Sequence, residues 1–186
     1  MAENLNNLVK EALELKADHA ALVDVSKIKF HEEFRKACEK NVCGRYNSNW
    51  MGPPAIGPID ELKKKVMKYK HGLIFQTVIQ LKSPFDVKGM NEGFNKHTEN
   101  FWRILSHIKE KYGFKDILPL NAGCCNTCKR CAYLDGEPCR YPEKAFSSVE
   151  AYGIDVTALE RSSGIPVYNG QNTVSYVALI LFNENE

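Results

Sequence analysis

Seven cysteines fall into two groups along this 186-residue chain. The denser group is Cys124, Cys125, Cys128 and Cys131, with Cys139 following across the turn-rich segment Tyr133-Leu134-Asp135-Gly136-Glu137-Pro138. Cys125, Cys128 and Cys131 stand at C-x2-C-x2-C spacing. Three thiolates in one tight loop can each meet a different corner of an iron–sulfur cubane, and a fourth from further along closes the site. The spacing points to a metal centre held by Cys125, Cys128, Cys131 and Cys139, with a [4Fe-4S] cluster as the first expectation. Zinc is the rival, but structural zinc usually takes two separated C-x2-C pairs on two loops. A loop that also carries Lys129, Arg130, Asp135, Gly136 and Pro138 offers little apolar core in which unliganded thiols could hide.

A second register exists. Cys124, Cys128 and Cys131 spell C-x3-C-x2-C, the spacing of the radical S-adenosylmethionine triad. That chemistry normally sits early in a barrel domain, whereas only 55 residues follow Cys131 here. Residue 130 is also Arg, where that motif usually has an aromatic. Cys124 is therefore read as a thiol beside the site or as a substitute ligand. Lys129, Arg130 and Arg140 put positive charge next to these thiols, which favours thiolates and a reduced, more negative cluster. Tyr46, Trp50, Tyr133, Tyr141 and Tyr152 lie near the cysteine segments and could shield a centre from water.

The rest of the chain narrows the class. The hydrophobic share is 44% and the charged share 26%, ordinary for a globular domain, so one domain over residues 1–186 is expected, with the cysteine loop at about 123–142. A formal charge of +2 gives no electrostatic footprint for nucleic acid. Lys63, Lys64 and Lys65 read as a solvated helix face. The N-terminus lacks the cationic start and apolar block of a signal peptide. The longest apolar run, Val177 to Phe182, is too short to span a bilayer. No membrane association is expected, and the cytoplasm is the expected compartment, where cysteines serve metal binding or redox chemistry rather than disulfides. P-loop, dinucleotide, H-E-x-x-H and nucleophile-elbow motifs are absent. His19, His31, His71, His97 and His107 are scattered and read as helix-surface or core residues.

The elements that must position the cysteines follow from periodicity. Leu5, Leu8, Val9, Ala12 and Leu15 predict an amphipathic helix. Strands are expected over Ala20–Ile28, Gly72–Leu81, Phe114–Leu120 and Thr173–Phe182. Helices are expected over Phe30–Lys40, from Pro58 through Tyr69, and over Asn91–Tyr112, with Gly113 as a stop. Ser147 with Glu150 suggests a capping box, and Asp155 caps a helix over Val156–Ser163. The fold class is α+β or α/β, with one sheet of about four or five strands and helices packed on it.

Cys38 and Cys43 form the second group, four intervening positions apart, ahead of Tyr46, Asn47, Asn49, Trp50 and the Pro53-Pro54 pair. Alone they are either buried helix-end cysteines or an incomplete second metal site. Two stretches here, CCNTCKRCAYLDGEPCRYPEKAFSSVEAYGIDV and CEKNVCGRYNSNWMGPPAIGPIDEL, resemble an uncharacterised bacterial and archaeal family of predicted metal-binding proteins. The resemblance covers nearly the whole chain and implies metal binding without naming a substrate. It also exposes a departure: the family pattern usually has a cysteine directly before the Pro-Pro pair, where this chain has Gly52. A centre at Cys38 and Cys43 is then one thiolate short, and is expected to be lost, weak or completed from elsewhere.

Three functions are consistent with these features. One is an iron–sulfur protein that carries electrons, with a redox partner protein. The second is an enzyme whose incompletely ligated cluster acts as a Lewis acid. The third is a zinc-stabilised binding or metal-delivery module.

Overall fold

The computed structural model describes residues 2–114 and 116–184. Among them the chain runs α1 (Ala2–Glu14), β1 (His19–Asp24), α2 (Glu32–Glu39), α3 (Ile59–Val66), β2 (His71–Gln80), α4 (Val87–His107), β3 (Ile117–Leu120), α5 (Val156–Ser162) and β4 (Thr173–Phe182). The strands form one sheet in the order β1-β2-β4-β3. Every ladder is antiparallel, so the fold is α+β rather than α/β.

Both faces of this sheet are covered. Leu73, Phe75, Ala178, Ile180 and Phe182 pack with Leu5, Leu8 and Ala12 of α1 and Phe101, Ile104 and Leu105 of α4. On the other face, Val23, Ile74, Val177, Leu179 and Leu181 meet Leu62 and Val66 of α3, Leu159 of α5, and Val149, Tyr152 and Ile154. Burial on both sides removes the apolar–polar alternation of a half-exposed strand, which is why β4 reads as an unbroken apolar run. Helix α4 lies close against the sheet at Gly93, where a Cβ would come within 2.7 Å of Ile79.

The boundaries differ from expectation for local reasons. The first strand stops at Asp24 because its carboxylate accepts from Ser26 N at 3.0 Å and Ser26 Oγ at 2.7 Å, folding Val25–Lys27 into a 3-10 turn. The second helix starts two residues late, since Phe30 is held in a bridge to Ile154. The long helix begins at Val87, not Asn91: Asp86 caps it through Gly89 N at 2.9 Å, and Lys88 and Asn91 carry no apolar stripe to announce that turn. Its far end widens into a π turn over Ile108–Tyr112 before Gly113. The strand expected over Phe114–Leu120 is confined to Ile117–Leu120. Phe114 instead stacks on Phe182 at 4.5 Å, and Lys115 lies outside the described residues. The Ser147–Glu150 capping box does not form. Ser148 Oγ accepts from Ala151 N at 3.1 Å, while the Ser147 carbonyl accepts from Asn121 N at 2.9 Å. Asp155 caps α5 as expected, through Ala158 N at 2.9 Å. No described helix is long and apolar enough to cross a membrane.

Two polar groups fasten this layer, Glu11 joining α1 to the end of α4 and His97 joining α4 to β2. The Glu11 carboxylate accepts from His107 at 2.7 Å and from the Tyr112 hydroxyl at 2.9 Å. Burial pushes its pKa up, but the bonds from Lys111, His107 and Tyr112 outweigh this and bring it down to about 2. His97 is fully buried, with Nδ1 2.9 Å from Thr77 Oγ1. Its Nε2 has no hydrogen-bond partner among the described residues. Burial holds the His97 pKa down to about 4, and Asn121 opposes this from outside hydrogen-bond geometry.

A folded pKa below the unfolded value of about 6.5 means that the unfolded chain takes up the proton first as pH falls. The stability that neutral His97 confers is complete above about pH 6.5 and is lost towards pH 4, amounting to about 3 kcal/mol. Urea midpoints measured between pH 7 and pH 4.5 should fall steeply in the parent protein and much less in His97→Gln. Glu11 contributes its own pH dependence only below about pH 4.5, so the two are separable.

Candidate metal centre

The cysteine loop leaves the sheet at the end of β3. Asn121 pairs with Ser148 in a one-residue parallel bridge, and its side chain accepts from Ala122 N at 2.9 Å. The chain then turns at Gly123 (φ +63°), where a Cβ would sit 3.1 Å from the Phe94 ring. A residue with a side chain would be strained there by both backbone and contact. Beyond it, Thr127 Oγ donates to Lys144 O at 3.1 Å and accepts from the Cys125 thiol at 3.5 Å. Cys131 leads into a 3-10 turn, Ala132–Asp135, ended by Gly136 in the left-handed region. Arg140 donates to Arg130 O at 3.0 Å, which draws the neighbours of Cys131 and Cys139 together across that turn.

The N-terminal cysteine segment is folded by its own side chains. Asn41, Gly44 and Asn47 adopt positive φ, a conformation that Asn and Gly tolerate best. Asn41 accepts from Tyr46 N at 3.0 Å, and Asn47 N donates to Pro53 O at 2.9 Å. Arg35 on α2 donates to Gly57 O at 3.1 Å.

These two segments, far apart in sequence, pack on each other. Trp50 Nε1 donates to Glu137 O at 2.9 Å. The Trp50 and Tyr133 rings meet edge to face at 4.9 Å, and the Tyr133 hydroxyl donates to Asn47 Oδ1. Asn49, 5% exposed, donates from Nδ2 to Cys124 Sγ at 3.2 Å. The aromatics near the cysteines thus include a pair, Trp50 and Tyr133, that clasps the two segments together.

Two cavities result. A small one of about 240 Å³ is lined by Cys38, Cys43 and Cys124, with Arg45, Asn49, Gly52 and Glu150. A shallower one of about 660 Å³ has Cys124, Cys125 and Cys128 on its wall, again with Arg45. Cys124 borders both. Burial pushes its thiol pKa up; Arg45 draws it down, and Cys125, Cys43 and Cys131 push it further up. Cys38 is likewise raised by burial, against the pull of Arg35. The cations that act on these two thiols are therefore Arg35 and Arg45, which spacing alone did not single out. Arg130 and Arg140 both turn to Asp135, at 2.7 and 3.8 Å.

A larger cleft of about 790 Å³ adjoins the small cavity, and Cys38, Gly123 and Glu150 line both. Its floor is the Thr173–Val177 half of β4. Strand β3 pairs only with Leu179–Phe182 of β4, so among the described residues no strand lies beside that half on this side. Glu160 of α5 lines the cleft although it is 5% exposed. Burial raises its pKa, Gln76 lowers it through a hydrogen bond, and Glu150 raises it. Sequence periodicity gave no sign of this buried acid, because Glu160 falls on a short helix that reads as an amphipathic surface element.

All seven cysteines are free, Cys43 exposed and the others partly covered. Among the described residues no three His, Cys, Asp or Glu side chains are gathered so that they could hold a metal ion as they stand. Neutral thiols have no mutual attraction, and metal binding both deprotonates and gathers them. The donor set itself, soft sulfur ligands on irregular loops, suits a thiolate-bound metal.

Fold and site together define an α+β protein with a cysteine-rich, thiol-bearing face. Residues 21–182 match the family model described as "Predicted metal-binding protein (DUF2284)", and the chain belongs to that family, whose function is unknown. No curated protein and no solved structure matches it.

The clasp makes a direct prediction. Trp50→Ala removes one hydrogen bond and one aromatic pair, with an expected stability loss of about 2 kcal/mol. Alkylation of Cys124, followed by mass spectrometry, should accelerate in this variant, while the already exposed Cys43 reacts as in the parent and the buried Phe101 and Leu179 core stays protected from hydrogen exchange. An unchanged Cys124 alkylation rate would mean that the two segments do not depend on Trp50.

Proposed function

We propose that this chain carries a [4Fe-4S] cluster on Cys125, Cys128, Cys131 and Cys139 and uses it to pass electrons or to support a redox enzyme. The observation that carries this reading is a surface loop with four free, partly exposed thiols, closed on itself by the Arg140–Arg130 bond. The C-x2-C-x2-C spacing supplies three corners, and Cys139 supplies the fourth. Backbone N–H groups of the loop and the Lys129 charge would stabilise a reduced cluster. Leu134 and Tyr141, 47% and 44% exposed on the same loop, offer a redox partner protein an apolar contact close to the thiols. Free thiols in this number suit the reducing cytoplasm.

A second reading, an enzyme whose incompletely ligated iron acts as Lewis acid, is favoured by the cleft that reaches Cys38 and holds the buried Glu160. Such a centre would polarise a substrate oxygen, while Glu160, whose pKa is raised by burial, would be suited to exchanging a proton.

Anaerobic production and reconstitution test the first reading. The protein should be brown, and Cys125→Ser, Cys128→Ser, Cys131→Ser and Cys139→Ser should each lose about four irons and four acid-labile sulfides per chain relative to the parent. Stoichiometric zinc without sulfide, in colourless protein, would replace this reading with the zinc-stabilised module. A reversible bleaching of the visible absorption by dithionite and air would favour electron transfer. A spectral change on adding a small oxygen-donor ligand such as citrate would favour the Lewis-acid reading.

A further inference from the structure

Cys38, Cys43 and Cys124 come from three places in the chain: the last turn of α2, the irregular segment after it, and the turn that follows β3. They nevertheless line one small cavity. We propose that these three thiols hold a second metal centre, separate from the loop centre of Cys125, Cys128, Cys131 and Cys139, with its unfilled coordination position towards the large cleft. This inference rests on the thiolate-metal reading given above and extends it to a new ligand set.

Several independent features support the assignment. Asn49 is buried and directs its amide donor at Cys124 Sγ at 3.2 Å. A donor that fixes a thiol and neutralises part of a thiolate's charge is what a ligating sulfur receives from its surroundings. Asn49 is itself held by its own loop, accepting from Met51 N at 3.0 Å. Gly52 lies beside it on the cavity wall, and a Cβ there would crowd Asn49 Nδ2 at 3.1 Å. The missing side chain at position 52 thus leaves Asn49 room to reach Cys124. Arg45 also borders the cavity, and its positive charge offsets part of the charge of three thiolates.

The set is short of a fourth cysteine. Closed structural sites take four protein ligands, whereas catalytic ones keep a position for water or substrate. Here the wall shared with the large cleft is made of Cys38, Gly123 and Glu150. A small ligand in the cleft would reach the centre past the glycine, which has no side chain to block it. Two metal chemistries share this donor set: an iron–sulfur cluster with one iron lacking a cysteine, and a zinc ion with three sulfur ligands.

The full chain is tested after anaerobic reconstitution in two arms, ferrous iron with sulfide, and zinc alone; the arm that fills identifies the metal. Carrying Cys125→Ser and Cys128→Ser together removes the loop centre and should leave about half of the parent's metal. Adding Cys124→Ser to that background should lower the remainder at least tenfold, and adding Cys43→Ser should do the same. Cys43 is exposed, so its replacement cannot act by disturbing packing. The remaining metal should also change its visible or, with cobalt substituted for zinc, its ligand-field spectrum when cyanide is added, as an exchangeable position requires. Metal content unchanged by both Cys124→Ser and Cys43→Ser, with all metal lost on Cys125→Ser and Cys128→Ser, would overturn the second centre and leave the loop centre standing. Metal that survives intact in the loop variant and vanishes with Cys124→Ser would do the reverse.

Discussion

The pairing of β2 with β4 is the constraint on which everything else rests. The two strands match residue for residue from His71 with Phe182 to Gln80 with Thr173, and both lie between helical layers. Their central backbone groups are out of water, so each must be satisfied within the ladder. Sliding the register by one position would send Leu73 and Phe75 to the wrong layer and Ile74 to the other. With that ladder fixed, β3 can add only to the free edge of β4. Its four residues then dictate where the chain must leave the sheet and where the cysteine loop begins.

The cysteine face is built in a different way. Its segments carry few apolar side chains, and they are held by hydrogen bonds from Thr, Trp and Arg side chains to backbone carbonyls and from backbone N–H groups to Asn side chains. Such contacts are individually modest, and the segments bury little surface. That combination suits a region whose final arrangement a bound ligand would complete, the polypeptide restricting the search beforehand. The core on the two faces of the sheet carries the stability that the loops lack.

Sequence reasoning reached the core elements because burial imposes a period, and the period is visible in Leu8, Ala12, Phe101 and Leu105 on one side and in the unbroken apolar run of β4. It picked out the cysteine-rich loop because close cysteine spacing is visible within a short stretch of sequence. It missed the ends of elements where a side chain took over from the ladder, as Asp24 does, and where the first turn of a helix is polar, as at Val87. It treated the Cys38–Cys43 group and the cysteine loop as separate because nothing local connects them. Their meeting depends on Trp50, Tyr133 and Asn49 acting across long stretches of chain. The buried Glu160 was equally invisible, since its partner Gln76 sits on another element.

The shortness of β3 has a further consequence. It leaves half of β4 with an open line of backbone donors and acceptors, the kind of edge along which two molecules of the same protein can zip together into larger assemblies. In this fold the edge is recessed: the cleft walls contributed by α2, α5 and the Gly123 turn stand in front of it. An incoming extended chain would have to fit between those walls to reach the edge. Walls of this kind narrow the set of chains that can pair with the open edge of an unfinished sheet.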